Sequence, residues 1–268
     1  MPLDTDTIEK IALDLYEAEK SRTQIPLISQ MHPSMDMDDA YAIQAALVEK
    51  KRAGGNDIRG WKIGLTSKAM QAALNIDVPD SGILFEDMFF ENRSTIPADR
   101  FIQTRIEAEI AFIMRTSLQG ASVTREDVML ATESVAPALE ILDTRIIRQD
   151  PETGAIRIIV DTIADNAANA GIVLGDKRHP PDSLDMRWVG AIVSRNGEVE
   201  ETGLGAGVLN DPVTGIVWLI QRLANYGMGL KAGDVVLSGS FIRPVEARSG
   251  DTFLADYGSF GTVECDFA

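Results

Sequence analysis

The spacing of apolar residues changes along the chain, from a helical repeat in the first sixty residues to strand-like runs after them. Apolar side chains recur at helical spacing from Ile8 to Leu15, and Asp6 stands where a helix N-cap is expected. A second helix is expected over residues 38–52, because the repeat there ends before Gly54, and glycine commonly ends helices. Together these segments predict an N-terminal helical region over residues 1–60.

The rest of the chain is richer in short β-type segments. Asn196 and Gly197 form a dipeptide that is typical of a type I′ turn, and two of the expected strands flank it. Short strands with few helices between them favour an α+β fold with a folded or rolled sheet over a doubly wound one. We therefore expect a single catalytic domain over residues 1–268, with a β-rich core over residues 61–268. The expected strands are 61–65, 105–114, 138–142, 188–195, 198–203, 234–239, 252–257 and 261–267, and the expected helices are 67–74, 125–134 and 212–225.

Two carboxylates lie two residues apart in segment 105–114, where polar or small residues alternate with apolar ones. Alternate side chains of a strand share one face, so Glu107 and Glu109 point the same way, roughly 7 Å apart along the strand. Flanked by core residues, they repel each other unless a positive charge lies between them. A divalent cation such as Mg²⁺, Mn²⁺ or Ca²⁺ suits oxygen ligands of this kind. The alternative is the solvated face of an ordinary strand, and the spacing alone leaves both open.

The chain is strongly acidic. Its 268 residues carry a formal net charge of −16, with a pI near 4.5. Such a charge disfavours nucleic acid and anionic membranes as partners, because both are bound mainly through basic patches. An anionic small substrate would then need a local cation, which a metal site supplies. The acidity also has a simpler explanation, which is that it keeps the protein soluble.

Cysteine and histidine are too rare for several kinds of chemistry. Cys265 is the only cysteine, which rules out a disulfide or a thiolate zinc site within the chain, and its strand-like surroundings indicate an inert buried thiol. His32 and His179 are the only histidines and both stand beside prolines, so a histidine triad is not expected. The sequence has no basic leader and no apolar run of about 20 residues, so we expect a soluble cytoplasmic protein.

Glu140 is a further candidate ligand. It lies in the expected strand 138–142 among Ala, Leu and Ile residues, where a buried acid needs a partner. Beside Glu107 and Glu109 it would complete a cluster of three carboxylates with open positions for substrate and water. The alternative is a structural salt bridge, for which Arg145 is the nearest mate along the chain.

Four other charged residues have both a functional and a plain interpretation. Lys62, in a glycine-flanked strand, is either a catalytic cation or an edge residue whose ammonium group reaches solvent. Asp80 is first of all a turn residue, with catalysis as the less favoured interpretation. Arg243 and Arg248 either clamp a carboxylate or lie in a solvated hairpin. Gly239 and Ser240 favour the clamp for Arg243, because glycine permits close approach of a ligand to the backbone.

Six short segments, in order along nearly the whole chain, together resemble the hydratase/decarboxylase branch of the fumarylacetoacetate hydrolase superfamily. They are KIGLTSK at 62–68, PDSG at 79–82, RIEAEI at 105–110, PALE at 137–140, ADNAA at 164–168 and GSFGTV at 258–263. The resemblance implies a mixed β-rich fold. It also implies a divalent metal, Mg²⁺ or Mn²⁺, held by Glu107, Glu109 and Glu140. Ser81 departs from the family, which usually has an aromatic residue there, so the length of the substrate is left open.

The resemblance implies a hydratase that adds water to an unsaturated 2-oxo diacid, as part of the breakdown of aromatic compounds. Lys62 and Asp80 are then the expected catalytic residues, and Thr66, Ser240 and Arg243 the expected substrate-binding residues. The carbon–carbon hydrolases of the superfamily activate water with a His–Glu pair, and this chain has no histidine in the matching region. Two other activities stay open: decarboxylation of a six-carbon 2-oxo-enedioate, and hydration of 2-hydroxypentadienoate. A non-catalytic partner subunit is disfavoured because the expected ligands and Lys62 are intact. Self-association into a homo-oligomer is also expected.

Overall fold

The protein is described by a computed structural model, which covers residues 2–73, 76 and 78–268. The helices in this part of the chain are α1 (Thr5–Ser21), α2 (Ile28–Met31), α3 (Met37–Ala53), α4 (Lys68–Ala73), α5 (Arg125–Ala131), α6 (Ile159–Ala164) and α7 (Pro212–Ala224). The strands are β1 (Ile58–Gly64), β2 (Asp80–Phe85), β3 (Phe89–Phe90), β4 (Ser94–Ile96), β5 (Arg105–Met114), β6 (Thr132–Leu142), β7 (Asn169–Leu174), β8 (Gly190–Arg195), β9 (Glu198–Leu204), β10 (Val235–Leu237), β11 (Val245–Glu246), β12 (Thr252–Asp256) and β13 (Thr262–Phe267).

The strands form two mixed sheets. The first runs β2-β1-β10-β5-β6-β7-β3, with β11 also paired to β5, and the second runs β4-β13-β12-β8-β9. Most neighbours are antiparallel, while β1 with β10, β3 with β7 and β4 with β13 are parallel. The long strands β5 and β6 lie at the centre of the first sheet, and the main apolar core packs around them. The α+β expectation is confirmed.

The helical N-terminal region has an apolar core of its own. Side chains of α1 and α3, such as Leu15 and Ile43, pack there with Ile163 of α6. Gln44 of α3 links this layer to the first sheet, because its Nε2 donates to the main-chain oxygens of Ser81 (2.9 Å) and Ile163 (3.0 Å).

The helix caps differ from the predicted ones. Asp4, and not Asp6, caps α1 by accepting from the main-chain N–H of Thr7 at 2.8 Å. Helix α3 starts at Met37, where Asp36 and Asp39 form a capping box. Two acids near each start compete for the cap, and spacing along the chain does not decide between them. The predicted helix 67–74 corresponds to α4, and its last residue, 74, lies outside the described residues.

Several elements were not predicted, including β2, β7 and α6, and among the predicted elements the boundary between α5 and β6 is the largest error. The helix predicted over 125–134 ends at Ala131, and β6 then begins at Thr132, well before the strand predicted over 138–142. Pro137 favoured a late start because proline rarely lies inside a central strand. The structure accommodates it because regular pairing of β6 with β7 begins one residue later, at Ala138. The hairpin of β8 and β9 does turn at the predicted Asn196-Gly197 dipeptide, where both residues have positive φ.

Candidate active site

Three carboxylates converge between β5 and β6. The register of the two strands sets Glu107 directly opposite Glu140, and Glu109 lies two residues along β5 on the same face. One oxygen from each side chain lies within 4.8 Å of the others. Glu109 and Glu140 are fully buried, while Glu107 is half-buried at the edge of the cluster. Strand pairing thus builds the cluster that the sequence suggested.

The cluster carries more negative charge than its protein surroundings balance. Glu109 Oε2 accepts from the N–H of Gly239 at 2.7 Å, but among the described residues Glu109 Oε1 and Glu140 Oε2 have no hydrogen bond, and Glu140 Oε1 has only an ion pair with Lys62. Burial, and then the charge of Glu140, raise the pKa of Glu107 to about 8 and the pKa of Glu109 well above its usual value. Unpaired buried carboxylate oxygens at this spacing fit a divalent cation such as Mg²⁺ or Mn²⁺.

Lys62 is the cation that the protein itself supplies to the cluster. It is only 3% exposed and lies on β1, which is paired on both sides. Its Nζ lies 3.2 Å from Glu140 Oε1 and donates to the main-chain oxygen of Ala167 at 3.0 Å. Burial lowers the pKa of Lys62, but Glu140 and Asp80 outweigh it and the net shift is upward. Lys62 is therefore a fixed positive charge and not a solvent-reaching edge residue.

Asp80 lies at the start of β2, opposite Gly64 of β1, so its carboxylate reaches the same site. Its Oδ1 is buried and has no hydrogen-bond partner in the described part of the chain. Burial raises the pKa of Asp80, although Lys62 opposes the shift. A Cβ at position 64 would overlap Asp80 Oδ1, so glycine is needed there. Asp80 is thus a buried carboxylate with a raised pKa and a free oxygen, as a proton-transferring group requires.

A strained turn holds Lys62 in place. Asn166, Ala167 and Ala168 have consecutive φ values of 50°, 54° and 57°, a left-handed conformation that costs a non-glycine residue roughly 1–3 kcal/mol. The side chain of Asn166 fixes the turn to β2 by accepting from the Ile83 N–H and donating to the Ile83 oxygen. The turn thereby presents the Ala167 oxygen to Lys62. In the sequence, residues 164–168 are part of the family resemblance, and the structure adds the strained backbone and its contact with Lys62.

Tyr257 contacts the two strands that carry the carboxylates, and this role was not predicted from the sequence. Its hydroxyl donates to the Ala138 oxygen at 2.6 Å and accepts from the Glu109 N–H at 3.1 Å, so it bridges β6 and β5 behind Glu109. Burial raises its pKa above the usual range, which keeps the hydroxyl protonated as a donor. A tyrosine in a glycine-rich C-terminal segment carries no signal of this role in the sequence.

A cavity of about 340 Å³ opens beside the carboxylates. It is lined by all the predicted site residues except the buried Glu109 and Glu140, namely Lys62, Thr66, Asp80, Glu107, Ser240 and Arg243. Thr66 is buried, and its side chain lies against Gly239. The Ser240 hydroxyl is held within its own loop by Ile242, to whose main-chain oxygen it donates at 3.0 Å. Arg243 stands at the mouth, 80% exposed, with its guanidinium 2.6 Å from Glu201 Oε1.

Three more arginines line the same cavity, and the sequence did not single them out. They are Arg105 at the start of β5, and Arg148 and Arg157 in the segment between β6 and α6. The available signal was weak: two arginines flank the turn cluster that begins at Asp150. Arg248, the weaker predicted clamp, lies outside this cavity, is 75% exposed and pairs with Glu246.

Arg145 is not the partner of Glu140. Its guanidinium is buried against Asp165 and also donates to the main-chain oxygens of Asn169 and Asp165. The alternative of a salt bridge between Glu140 and Arg145 is wrong, because proximity along the chain does not tell which way a side chain points. Cys265, by contrast, is buried in β13, and burial raises the pKa of its thiol to about 12, as expected of an inert residue.

The fold and the carboxylate cluster define an α+β protein with a candidate divalent-metal centre in its central sheet. The family described as "Fumarylacetoacetate (FAA) hydrolase C-terminal" matches residues 60–268. The chain belongs to this family.

Similar proteins support the same assignment. The chain is 52% identical over 264 residues to the 2-oxo-hept-4-ene-1,7-dioate hydratase of Escherichia coli, covering 98% of this chain and 99% of that one. It is 38% identical to the 2-keto-4-pentenoate hydratase of Paraburkholderia xenovorans, covering 97% and 94%. The 4-oxalocrotonate decarboxylase of Pseudomonas putida G7, solved with magnesium and adipate, has a TM-score of 0.93 at 28% identity and 99% coverage of both chains. No helix in the described ranges is long and apolar enough to cross a membrane.

Proposed function

We propose that the protein is a metal-dependent hydro-lyase that converts 2-oxo-hept-4-ene-1,7-dioate to 4-hydroxy-2-oxoheptanedioate in the breakdown of aromatic compounds. The observation that carries this proposal is the carboxylate cluster with its own buried lysine, at one end of a cavity suited to a small acid. The 52% identity to a hydratase of this substrate supports the choice of reaction.

The reaction needs one proton shift and one addition. A proton moves from C3 to C5, so the double bond shifts from C4=C5 to C3=C4 and becomes conjugated with the 2-oxo group. Water then adds its oxygen at C4, and a proton returns to C3. Negative charge builds on the 2-oxo oxygen in both stages, so the site must stabilise an enolate and transfer protons.

Glu107, Glu109 and Glu140 would hold the metal, and Mg²⁺ or Mn²⁺ fits their oxygen ligands. When bound, such a cation supplies Lewis acidity toward the carboxylate and 2-oxo oxygens of the substrate. Thr66 and Ser240 line the cavity beside these residues and would orient the acid. Arg243 remains a predicted substrate contact at the mouth.

Lys62 and Asp80 would have different roles, charge stabilisation for the lysine and proton transfer for the aspartate. Lys62 has a raised pKa, so it is a poor proton donor and would act as a fixed charge that stabilises the enolate. Asp80 has a raised pKa and an unpaired Oδ1, so it would accept and return the proton. Burial of both groups keeps bulk water from competing for these protons.

Product analysis tests the proposal directly. The purified protein with added Mg²⁺ should convert the seven-carbon substrate to the 4-hydroxy product, as followed by proton NMR. A chelator should stop the reaction, and Mg²⁺ or Mn²⁺ should restore it. If the product does not form with either metal present, the hydratase assignment fails.

Decarboxylation is the second candidate, because the decarboxylase structure shares the whole fold. Both reactions use the same enolate stabilisation, so the site alone does not separate them. Release of carbon dioxide from 2-oxo-hex-3-enedioate, measured beside hydration of the seven-carbon acid, decides between them. Faster decarboxylation than hydration would favour the second candidate.

A cytoplasmic location and self-association stay predictions. Large apolar side chains are exposed on and near the second sheet, which supports contact between copies: Trp188, Ile192, Leu204 and Leu254. Light scattering on the purified protein measures the oligomeric state, and a mass of one chain would contradict self-association.

A further inference from the structure

The cavity beside the carboxylates is lined by residues of both charges. Glu107 and Asp80 line it together with Lys62. Arg105, Arg148 and Arg157 line it as well. We call these three arginines the basic wall. In a chain of net charge −16, three guanidinium groups on one small cavity need an explanation.

A short hairpin holds two of the three. The Arg157 N–H donates to the Arg148 oxygen at 2.9 Å, and Gln149 bridges to Ile156, so residues 148 and 157 are cross-strand neighbours. The hairpin turns at Asp150, whose Oδ1 accepts from two N–H groups of the following residues. Cross-strand neighbours place their side chains close together, and both residues line the same cavity. Arg148 also lines a neighbouring cavity beside Gln103.

The basic wall has few close acidic partners among the described residues. Arg148 donates to the side-chain and main-chain oxygens of Gln103, which are neutral. Arg157 donates to the hydroxyl of Thr144, and among the described residues one carboxylate lies within 4.0 Å of it, that of Asp165 at 3.9 Å, which is already bound by the buried Arg145. Arg105 has no ion pair within the described ranges. Burial first, and then the charges of Arg157 and Arg105, lower the pKa of Arg148 to about 10.

We propose that Arg105, Arg148 and Arg157 bind the distal carboxylate of the substrate and so select dicarboxylic over monocarboxylic 2-oxo acids. The inference rests on the proposed function, because it concerns the far end of the same substrate. If Glu107, Glu109 and Glu140 hold a metal ion that binds one end of a diacid, the second carboxylate of that diacid would lie beyond the reach of the ion. A planar guanidinium matches a carboxylate bidentately, and the anion relieves the repulsion among the three cations.

Arg148 gives the sharpest test, because its protein partners are neutral and its loss leaves no acid unpaired. Arg148→Gln should lower kcat/KM for the seven-carbon diacid by about 10- to 100-fold, as for one charge-assisted hydrogen bond, and change that for 2-oxopent-4-enoate little. Arg148→Lys should recover part of the loss, since it keeps the charge without the bidentate geometry. The melting temperature of Arg148→Gln should be unchanged or higher, because repulsion is relieved. A structural role would instead lower the melting temperature and impair both substrates.

Binding without turnover separates this inference from the proposed function. Calorimetry on the Mg²⁺-loaded protein compares hexanedioate with hexanoate, and the parent should prefer the diacid. Arg148→Gln and Arg105→Gln should each reduce that preference, while Arg187→Gln, an exposed arginine paired with Asp185, should not. If the parent hydrates neither the seven-carbon 2-oxo diacid nor 2-oxopent-4-enoate but these losses of diacid preference occur, the hydratase assignment fails. The proposed role of the basic wall is then still supported.

Two results would overturn the proposed role of the basic wall. One is a diacid preference that is unchanged in both Arg148→Gln and Arg105→Gln while the parent remains an active hydratase. The other is a larger loss in Arg243→Gln than in either variant, which would move distal recognition to the mouth of the cavity.

Discussion

The protein buries two clusters of charge, one between the segment after β6 and the end of α6 and one between strands of the central sheet, and their hydrogen bonding differs greatly. In the first, Arg145 and Asp165 form a closed network, in which the guanidinium and the Arg145 N–H donate to four acceptor atoms, including both carboxylate oxygens of Asp165. In the second, Lys62 lies beside Glu140 and Glu109, and two carboxylate oxygens, Glu109 Oε1 and Glu140 Oε2, have no hydrogen bond in the described structure. Burial of charge is common to both, and completeness of bonding distinguishes them.

The difference indicates what each cluster is for. A fully bonded buried ion pair fixes one arrangement of the chain, whereas an incompletely bonded one destabilises the fold unless a ligand completes it. Natural proteins accept such local conflicts mainly at functional sites. The Arg145 cluster is accordingly expected to matter for folding, and the Glu109 cluster for activity. Substitutions in each cluster test this difference between folding and activity.

The largest effect on activity is expected from Glu109→Gln. The change is isosteric but removes one of three charged ligands, so most of the Mg²⁺-dependent activity should be lost. Stability without metal should stay the same or rise, because repulsion with Glu140 falls. Metal titration calorimetry and thermal melts in chelator measure the two effects, with the exposed Glu133→Gln as the matched control. Full turnover by Glu109→Gln after chelator treatment would sink the metal assignment.

Asp165→Asn should have the opposite profile. It leaves the Arg145 guanidinium buried without its counter-ion, so the free energy of unfolding should fall by about 3–5 kcal/mol. Urea unfolding measures the loss, and Asp176→Asn, at an exposed pair with Arg93, is the control. A loss below about 1 kcal/mol, the usual range of an exposed pair, would contradict the structural role of this cluster.

Lys62→Met tests whether the lysine belongs to the chemistry. Loss of one fixed charge beside a developing enolate should lower kcat by roughly 10²-fold or more, while KM changes less. Steady-state kinetics on the seven-carbon acid separates the two constants. Normal kcat with a raised KM would make Lys62 a binding residue only.

Tyr257→Phe is expected to have the smallest effect. It removes a hydroxyl that joins Ala138 to Glu109, so the free energy of unfolding should fall by about 1–2 kcal/mol. Because the Glu109 backbone is then held less firmly, metal affinity should also fall slightly. Parallel urea unfolding and metal titration measure both, and an unchanged metal affinity would confine Tyr257 to stability.

The sequence predicted the parts of the site that depend on local periodicity. Alternation along β5 was enough to place Glu107 and Glu109 on one face, and the Asn196-Gly197 turn was equally local. The approach of Glu140 depends on the register of β5 and β6, which no local pattern encodes. Its strand context made Glu140 a candidate third ligand with a salt bridge as the alternative, and the resemblance to a known family favoured the ligand.

The missed residues share one cause: their roles depend on direction in space and not on position in the chain. Arg145 is five residues from Glu140 yet points to Asp165. Arg148 and Arg157 lie at the two ends of a hairpin whose turn is exposed. The residues of the turn do not indicate that Arg148 and Arg157 line the cavity.

The left-handed turn at Asn166–Ala168 also bears on how the protein opens. Its groups are bound to three different strands or their ends: Asn166 to Ile83 of β2, the Ala167 oxygen to Lys62 of β1, and the Ala168 oxygen to the N–H of Asp143 just after β6. A segment tied in this way does not fray alone, because each of its bonds belongs to a different part of the sheet. Amide hydrogen exchange at Ile83 and Asp143 would therefore report the cooperative unfolding of the whole sheet and not a local fluctuation. We therefore expect the lysine site to open only when the whole sheet unfolds.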